Sequence, residues 1–417
     1  MKILYISQYF PPEIAAPAAR VSELSCHWVK NGHKVTVLTG FPNYPLGIVP
    51  ANYRPKLLRL FLKEKINGIN VCRAWLWPQP HRKTFKRMLS FFSFFLSSAV
   101  SGLFVSRPDI VIATSPQLLV GLSGWWLARA KRVPFVFEIR DLWPESLVAV
   151  DVGDARSLLY RVLGKLAGFL YRASEKVVVV TPAFKEFLIK NWHMPADKVS
   201  VIQNGVETDL FRPGIESSSL RKELNAGGKF IVCYTGTIGM AHGLETLVQV
   251  AKRLQDSHPN ILFLLIGDGA EKENIVSQTQ SLALSNVHVL DSQPREKIPA
   301  YINVSNVCLV MLKDAPLFKT VIPTKMLEAM ACARPVILVV DGQARKIMEE
   351  AQAGVFVRQG DVEHLAQTVI HLAADPASRE RLGNNGRRYI LQNLRRLQTA
   401  QSYIKVLETL VSGASNQ

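Results

Sequence analysis

Three segments in the second half of the chain combine residue types that could hold an anion and a polyol, each directly after an apolar run. Phe230–Thr235 reads as a strand and passes into Gly236-Thr-Ile-Gly-Met-Ala-His-Gly243, with a helix beginning at Leu244. A glycine-bearing turn between strand and helix lets backbone N–H groups approach an anion, and a helix N-terminus favours negative charge. Gly236, Thr237, Gly239 and His242 are the candidates there. Leu264-Leu-Ile-Gly-Asp-Gly269 repeats the strand-to-glycine pattern, with Gly267 and Asp268 in the turn. In Pro323-Thr-Lys-Met-Leu-Glu-Ala-Met-Ala331 a helix begins at a proline, with Thr324 and Lys325 in its first turn. Helical spacing brings Thr324 and Glu328 to one face with Lys325 beside them. The helix start and Lys325 suit phosphate charge. Glu328, one turn in and among apolar neighbours, suits two sugar hydroxyls.

Such loops need a scaffold, and the pattern of apolar runs supplies one. Strands are expected near Lys2–Ser7, Lys34–Thr39, Asn70–Ala74, Asp109–Thr114, Pro134–Ile139, Lys176–Thr181 and Val199–Ile202, with helical stretches between them. After the turn-rich Asn204–Pro213 they resume at Phe230–Thr235, Ile261–Ile266, Val287–Leu290, Val307–Met311, Pro335–Val340 and Gly354–Val357. Runs such as IVIAT and VVVVT suit strands covered by helices on both faces. The fold class expected is α/β, with doubly wound parallel sheets in two Rossmann-like domains. The domains are placed at 1–205 and 206–387, with a terminal helix over about 388–411 long enough to cross back onto the first. Loops at the carboxyl edge of such sheets bind ligands. In the first half that edge carries Arg140 and the turn Asp141-Leu-Trp-Pro-Glu145, which makes Trp143 and Glu145 acceptor-side candidates.

Charge is unevenly divided. Of the net +17, residues 1–205 hold 27 Lys+Arg against 12 Asp+Glu, while residues 206–417 hold 23 against 21. No nucleic-acid motif accompanies the basic half, so an anionic membrane surface or an anionic acceptor is the expected partner and nucleic acid is not. Met88–Ser106 carries no charge over 19 residues, but six serines and a glycine dilute it and a strand of the same domain follows. It is read as a buried or interfacial helix rather than a span. Arg82, Lys83, Lys86 and Arg87 before it, and Arg161, Lys165 and Arg172 within Ser157–Ala173, give the apolar-basic composition of a peripheral membrane contact. Five scattered cysteines fit a reduced compartment better than a disulfide scaffold or zinc ribbon. No Gly-x-Ser-x-Gly, HExxH or Walker loop supports a hydrolase or P-loop enzyme.

The ordered set GHKVTVLT, NGVETDLFRP, YTGTIG with GLETL, LLIGDG, TKMLEAMACARPVI and AGVFV resembles the family-four retaining glycosyltransferases of bacterial polysaccharide assembly. SQYFPPEIAAPAAR and RDLWPES are similar to their WbuB-like aminosugar-transferase branch. The resemblance implies a GT-B fold, two Rossmann-like domains facing a cleft. A nucleotide diphospho-sugar, expected to be UDP-linked, would bind the second and a lipid-linked polyprenyl diphosphate glycan the first. No metal or other cofactor is implied, and the location implied is the cytoplasmic face of the inner membrane. Position by position, Glu328 matches the second glutamate of Glu-x7-Glu, which holds the ribose. Gly236 and Gly239 match the diphosphate loop, and Gly267 and Asp268 the turn beside the base. Pro11 to Ala19 matches the loop near diphosphate and acceptor, bringing in Pro12, Glu13, Ala16 and the following Arg20. Asp141 is the candidate for orienting the acceptor hydroxyl. The donor sugar implied by the branch is an N-acetylated 6-deoxy aminosugar.

Three positions depart from that family pattern. Thr320 stands where the first motif glutamate would fall. Thr237 or Ile238, and His242, stand where an Arg and a Lys usually clamp the diphosphate. Arg140 stands where a His usually touches the donor sugar. Lys325 and Arg140 are the cations left to stabilise a departing diphosphate. A UDP-sugar 2-epimerase and a catalytically impaired nucleotide-binding scaffold are the alternatives on the same fold.

Overall fold

Strand runs buried along their whole length build the two sheets, as in β5, Ile110–Thr114, and β10, Ile261–Ile266. The computed structural model describes residues 1–44, 47–57, 59, 61–79, 84–149, 154 and 156–415. One unit comprises Met1–Asn204 with Arg396–Gln417, the other Gly205–Arg395.

In the first unit β1 (Lys2–Ile6), β2 (Lys34–Gly40), β3 (Phe61–Ile66), β4 (Ile69–Ala74), β5, β6 (Phe135–Ile139), β7 (Lys176–Val179) and β8 (Val199–Val201) form one sheet. Its order is β3-β4-β2-β1-β5-β6-β7-β8. Register is parallel from Ile3↔Val35 and Ile3↔Ile110 outward. The edge strand β3 corrects the all-parallel expectation, because it pairs antiparallel with β4 from Phe61↔Ala74 to Ile66↔Ile69. Its hairpin turns at Asn67-Gly68, both at positive φ (49° and 82°), the left-handed pair that a tight two-residue turn demands. Alternate residues separate the two faces. Ile3, Tyr5, Ile112 and Val136 meet helices Ala16–Lys30 and Arg396–Ser415. Ala113, Phe135 and Phe137 lie against Gly121 and Gly124 of helix Leu118–Lys131.

The second unit has β9 (Phe230–Thr235), β10, β11 (Val287–Leu290), β12 (Val307–Met311), β13 (Val336–Val339) and β14 (Gly354–Phe356), all parallel. The order β11-β10-β9-β12-β13-β14 is the doubly wound order of dinucleotide-binding sheets, which opens a crevice where the connections diverge between β9 and β12.

The single terminal helix expected over about 388–411 is two helices, Pro376–Asn393 and Arg396–Ser415. The break falls where Val206 bridges to Arg395 and its N–H takes the Leu394 carbonyl (2.9 Å), so the ladder of helix bonds is interrupted by a strand-like one. The last helix is bound to the first unit. Trp28 Nε1 donates to the Ala400 carbonyl (3.0 Å), Tyr403 meets the Trp28 ring edge-on, and Arg396 pairs with Glu23 at 2.8 Å. The uncharged stretch after Met88 lies in helix Thr84–Ser101 and the short 3-10 turn Gly102–Phe104. Among the described residues no helix is long and apolar enough to cross a membrane.

Candidate active site

In the second unit the turns after β9 and β10 fold against one another. Gly236 N–H donates to the Ile266 carbonyl (2.9 Å), and Ile238 N–H to the Asp268 carbonyl (2.9 Å). Gly236 has φ +119°, and any side chain at Gly267 would run into the Gly236 carbonyl. Close backbone approach therefore requires glycine at both positions. Gly236 and Thr237 stay exposed, Gly239 half-buried, and Asp268 accepts from the Gly269 N–H (2.8 Å).

Lys325 reaches this turn from the loop beyond β12, at the start of helix Thr324–Ala331. Its Nζ is 3.8 Å from the centre of the Tyr234 ring, and a Cβ on Gly236 would lie 3.1 Å from it. The amine is shut off from solvent and has no hydrogen-bond partner among the described residues. Burial pulls its pKa down to about 7, against the opposing pull of Glu328. Tyr234 also donates its hydroxyl to the Thr237 carbonyl (2.6 Å), which fixes the turn. Thr324 is half-buried beside it.

His242 is not a substitute cation. Its Nδ1 donates to the Gly239 carbonyl (3.2 Å), while burial and then the Lys325 charge push its pKa down to about 3. It stays neutral, with Nε2 as an acceptor. Glu328 is 8% exposed and takes Arg295 Nη1 at 2.8 Å, while the Arg295 guanidinium lies 4.9 Å from the centre of the Phe211 ring. Thr320, in place of a motif glutamate, turns inward and donates to the Leu317 carbonyl (2.5 Å).

In the first unit the opening loop divides. Pro12 and Ala16 are exposed. Glu13 is buried, and its carboxylate accepts from the N–H groups of Asn43 (3.0 Å), Tyr44 (3.0 Å) and Phe10 (3.3 Å). Burial nonetheless raises its pKa to about 7. Arg20 corrects the acceptor-side expectation. It lies within helix Ala16–Lys30 at 2% exposure, and its guanidinium holds Glu138 (2.9 Å), Asn204 Oδ1 (2.9 Å) and the Ile202 carbonyl (3.1 Å). Its role is to tie the sheet to the helix. Glu138 also accepts from the Tyr5 hydroxyl (2.6 Å), and despite burial the Arg20 charge holds its pKa below the usual carboxylate value.

Arg140 and Asp141 follow β6 and are half-buried. The Arg140 N–H donates to Ser115 Oγ (2.8 Å), which joins this turn to the loop after β5. Burial raises the Asp141 pKa to about 6, opposed by a hydrogen bond from Trp143 and by Arg140. Trp143 is 8% exposed and meets Phe91 edge-on at 6.5 Å, while burial raises the Glu145 pKa. Trp143 thus positions the turn and leaves little surface for an acceptor.

The structure joins Gly236, Thr237, Gly239, His242, Gly267, Asp268, Thr324 and Lys325 around two packed turns, with Glu328 one helical turn beyond Lys325. Arg140, Asp141, Trp143 and Glu145 form a separate cluster in the first unit. Sequence reading missed Arg295, Tyr234, Ser115 and Glu138. Only Glu138 carried a signal, a lone acid inside the apolar strand Phe-Val-Phe-Glu-Ile. Arg295 lies 33 residues from Glu328, beyond any local spacing rule. Arg82 and Lys83, and the side chains of Lys86 and Arg87, lie outside the described residues. Among the described residues no group of three or more His, Cys, Asp or Glu is arranged to hold a metal ion.

Two doubly wound units, with a glycine turn and a buried lysine at the crevice of one and a carboxylate turn at the sheet edge of the other, have the GT-B fold. Residues 216–389 match the glycosyl transferases group 1 and residues 16–205 the glycosyl transferase 4-like domain, so the chain belongs to the family-four type of GT-B glycosyltransferase. It is 24% identical over 357 residues to the putative colanic acid biosynthesis glycosyl transferase WcaI of Escherichia coli K12, covering 79% of this chain and 81% of that one. In structure it is similar to the sucrose-phosphate synthase of Thermosynechococcus elongatus (TM-score 0.78, 21% identity, 99% of each chain). It is also similar to HepE of Anabaena in complex with UDP and glucose (TM-score 0.73, 18% identity, 98% of this chain and 100% of that one).

Proposed function

We propose that this glycosyltransferase moves a sugar, with retention, from a UDP-linked donor to a lipid-linked polyprenyl diphosphate glycan in the assembly of bacterial surface polysaccharide. It works without a metal, peripherally attached to the cytoplasmic face of the inner membrane. The observation that carries the donor half is Lys325, a buried amine with no hydrogen-bond acceptor among the described residues, aimed at the Gly236 turn with Glu328 one helical turn away. UDP in the HepE complex and the colanic acid role in the WcaI name support the same reading. The donor sugar we favour is an N-acetylated 6-deoxy aminosugar, from the resemblance of SQYFPPEIAAPAAR and RDLWPES to the WbuB-like branch.

In the reaction the bond from the anomeric carbon to the diphosphate breaks, and the acceptor oxygen bonds to the same face of that carbon. The acceptor proton passes to the leaving diphosphate. Negative charge grows on that group, so Lys325 and the N–H groups of the turn stabilise the transition state more than the ground state. Asp141 orients the acceptor hydroxyl. Purified protein incubated with UDP-sugars and a bacterial lipid extract tests the proposal. Labelled sugar in the lipid fraction is the expected result. Interconversion of the UDP-sugar without acceptor would make it an epimerase, and UDP binding without turnover would make it a scaffold.

A further inference from the structure

Helix Thr84–Ser101 presents two different faces. Its inner side carries Phe91, which meets the Trp143 ring edge-on at 6.5 Å, and Ser90, whose Oγ accepts from Gln8 Nε2 at 3.5 Å. The helix is thereby fastened to the turn that holds Asp141. Its outer side, with the segment that leaves β4, walls a groove of about 360 Å³ formed by Trp75, Trp77, Leu89, Phe92, Leu96 and Val100. Five of these six side chains are exposed, Trp77 at 53% and Phe92 at 52% among them. Both serine hydroxyls of the walls are already engaged. Ser93 Oγ accepts from the Trp77 N–H (2.9 Å), and the Ser97 hydroxyl donates to the Trp75 carbonyl. What remains for a ligand is carbon. Past the groove, exposed Leu103 and Phe104 continue the apolar surface.

We propose that this groove seats the first isoprene units of the acceptor's own polyprenyl chain, as a site separate from the sugar and diphosphate contacts. The inference rests on the lipid-linked acceptor reading above. A wall whose accessible surface is almost entirely carbon selects hydrocarbon over a sugar or nucleotide. The volume accommodates roughly a dozen carbon-sized groups at about 30 Å³ each, or about two isoprene units. Charge favours the same occupant, because residues 1–205 hold 27 Lys+Arg against 12 Asp+Glu. That excess attracts a diphosphate-bearing lipid and repels a second copy of the chain. Position decides between the acceptor's chain and bulk bilayer: the helix that walls the groove also contacts Trp143, two residues from Asp141. A glycan presented to Asp141 has its lipid within reach of Trp77.

Farnesyl diphosphate, with inorganic diphosphate as control, tests the site by calorimetry and tryptophan fluorescence on the full chain. Trp77→Gln combined with Leu96→Gln alters two exposed side chains and should leave the fold and UDP binding intact. Farnesyl diphosphate should bind wild type more tightly than inorganic diphosphate, and the double variant should lose roughly tenfold or more of that preference. Equal affinity of the two proteins for farnesyl diphosphate would overturn the site. A parallel loss of binding to phosphatidylglycerol vesicles would give the face to the bilayer at large, and a change in oligomeric mass would give it to a second copy; either overturns the proposal. Sugar transfer to the lipid extract is scored separately. Transfer with no effect of the double variant on farnesyl diphosphate sinks only the groove. Farnesyl diphosphate binding lost in the variant, without transfer by wild type, sinks only the acceptor reading.

Discussion

Replacing Lys325 with methionine keeps the length of the side chain and removes its charge, and the structure predicts effects of opposite sign on stability and on donor binding. The amine has no hydrogen-bond partner among the described residues, and its pKa falls from 10.5 to about 7 through burial. That fall corresponds to roughly 5 kcal/mol of disfavoured charge, fully felt below pH 7. The sign follows from proton counts. Between pH 7 and 10.5 the unfolded chain binds this proton and the folded one does not, so stability rises with pH across that window. Lys325→Met removes the penalty and gives up the contact with the Tyr234 ring, worth about 2 kcal/mol when desolvated. The variant should therefore be about 3 kcal/mol more stable than wild type near pH 6, an advantage that disappears toward pH 10. UDP binding should weaken by the 1.5–3 kcal/mol of a charge-assisted hydrogen bond, about 10- to 150-fold. Wild type should also take up close to one proton per UDP at pH 8, as the diphosphate restores the charge on the amine. Thermal unfolding at pH 6 and 9, with calorimetry in buffers of different ionisation enthalpy, reads all three effects. A variant less stable at pH 6, with unchanged UDP affinity and proton uptake, would refute the reasoning.

Glu328→Ala should lower UDP affinity by 10-fold or more through loss of about 1.5–3 kcal/mol per ribose hydrogen bond, with the fold retained; an unchanged calorimetric Kd would remove Glu328 from the donor site. Asp141, with its pKa raised to about 6 in the free protein, should give kcat/KM for the acceptor an acid limb that rises through pH 6. Asp141→Asn should flatten that limb and cut the rate about 100-fold, and full activity across the range would end its role. Arg20→Met breaks a buried ion pair with Glu138 and should cost about 3–5 kcal/mol in urea unfolding; an intact stability with a raised acceptor KM would return Arg20 to the acceptor site. Glutamine at Arg82, Lys83, Lys86 and Arg87 should release the protein from anionic vesicles, since each basic residue contributes about 1 kcal/mol there, while UDP binding persists. Equal binding to neutral vesicles would exclude that surface.

The sequence alone was enough for the pair of α/β units, because strands buried on both faces leave continuous apolar runs and glycine turns mark their carboxyl ends. It also located the packed glycine turns and the lysine beside them, since Gly236, Gly267 and Lys325 sit at fixed offsets from recognisable strand and helix starts. The Asn67-Gly68 turn of the β3 hairpin is an equally local signal. Tertiary structure alone decided which charges remain for ligands. Arg20 follows an acceptor-loop sequence, yet Glu138, 118 residues away, holds it. Arg295 gained its place from Glu328, and His242 lost its charge to burial beside Lys325. Local propensity and spacing act through neighbours in the chain, whereas desolvation and ion pairing act through neighbours in space. The second kind of contact fixes a side chain's protonation and its freedom to meet a ligand, and no one-dimensional pattern records it.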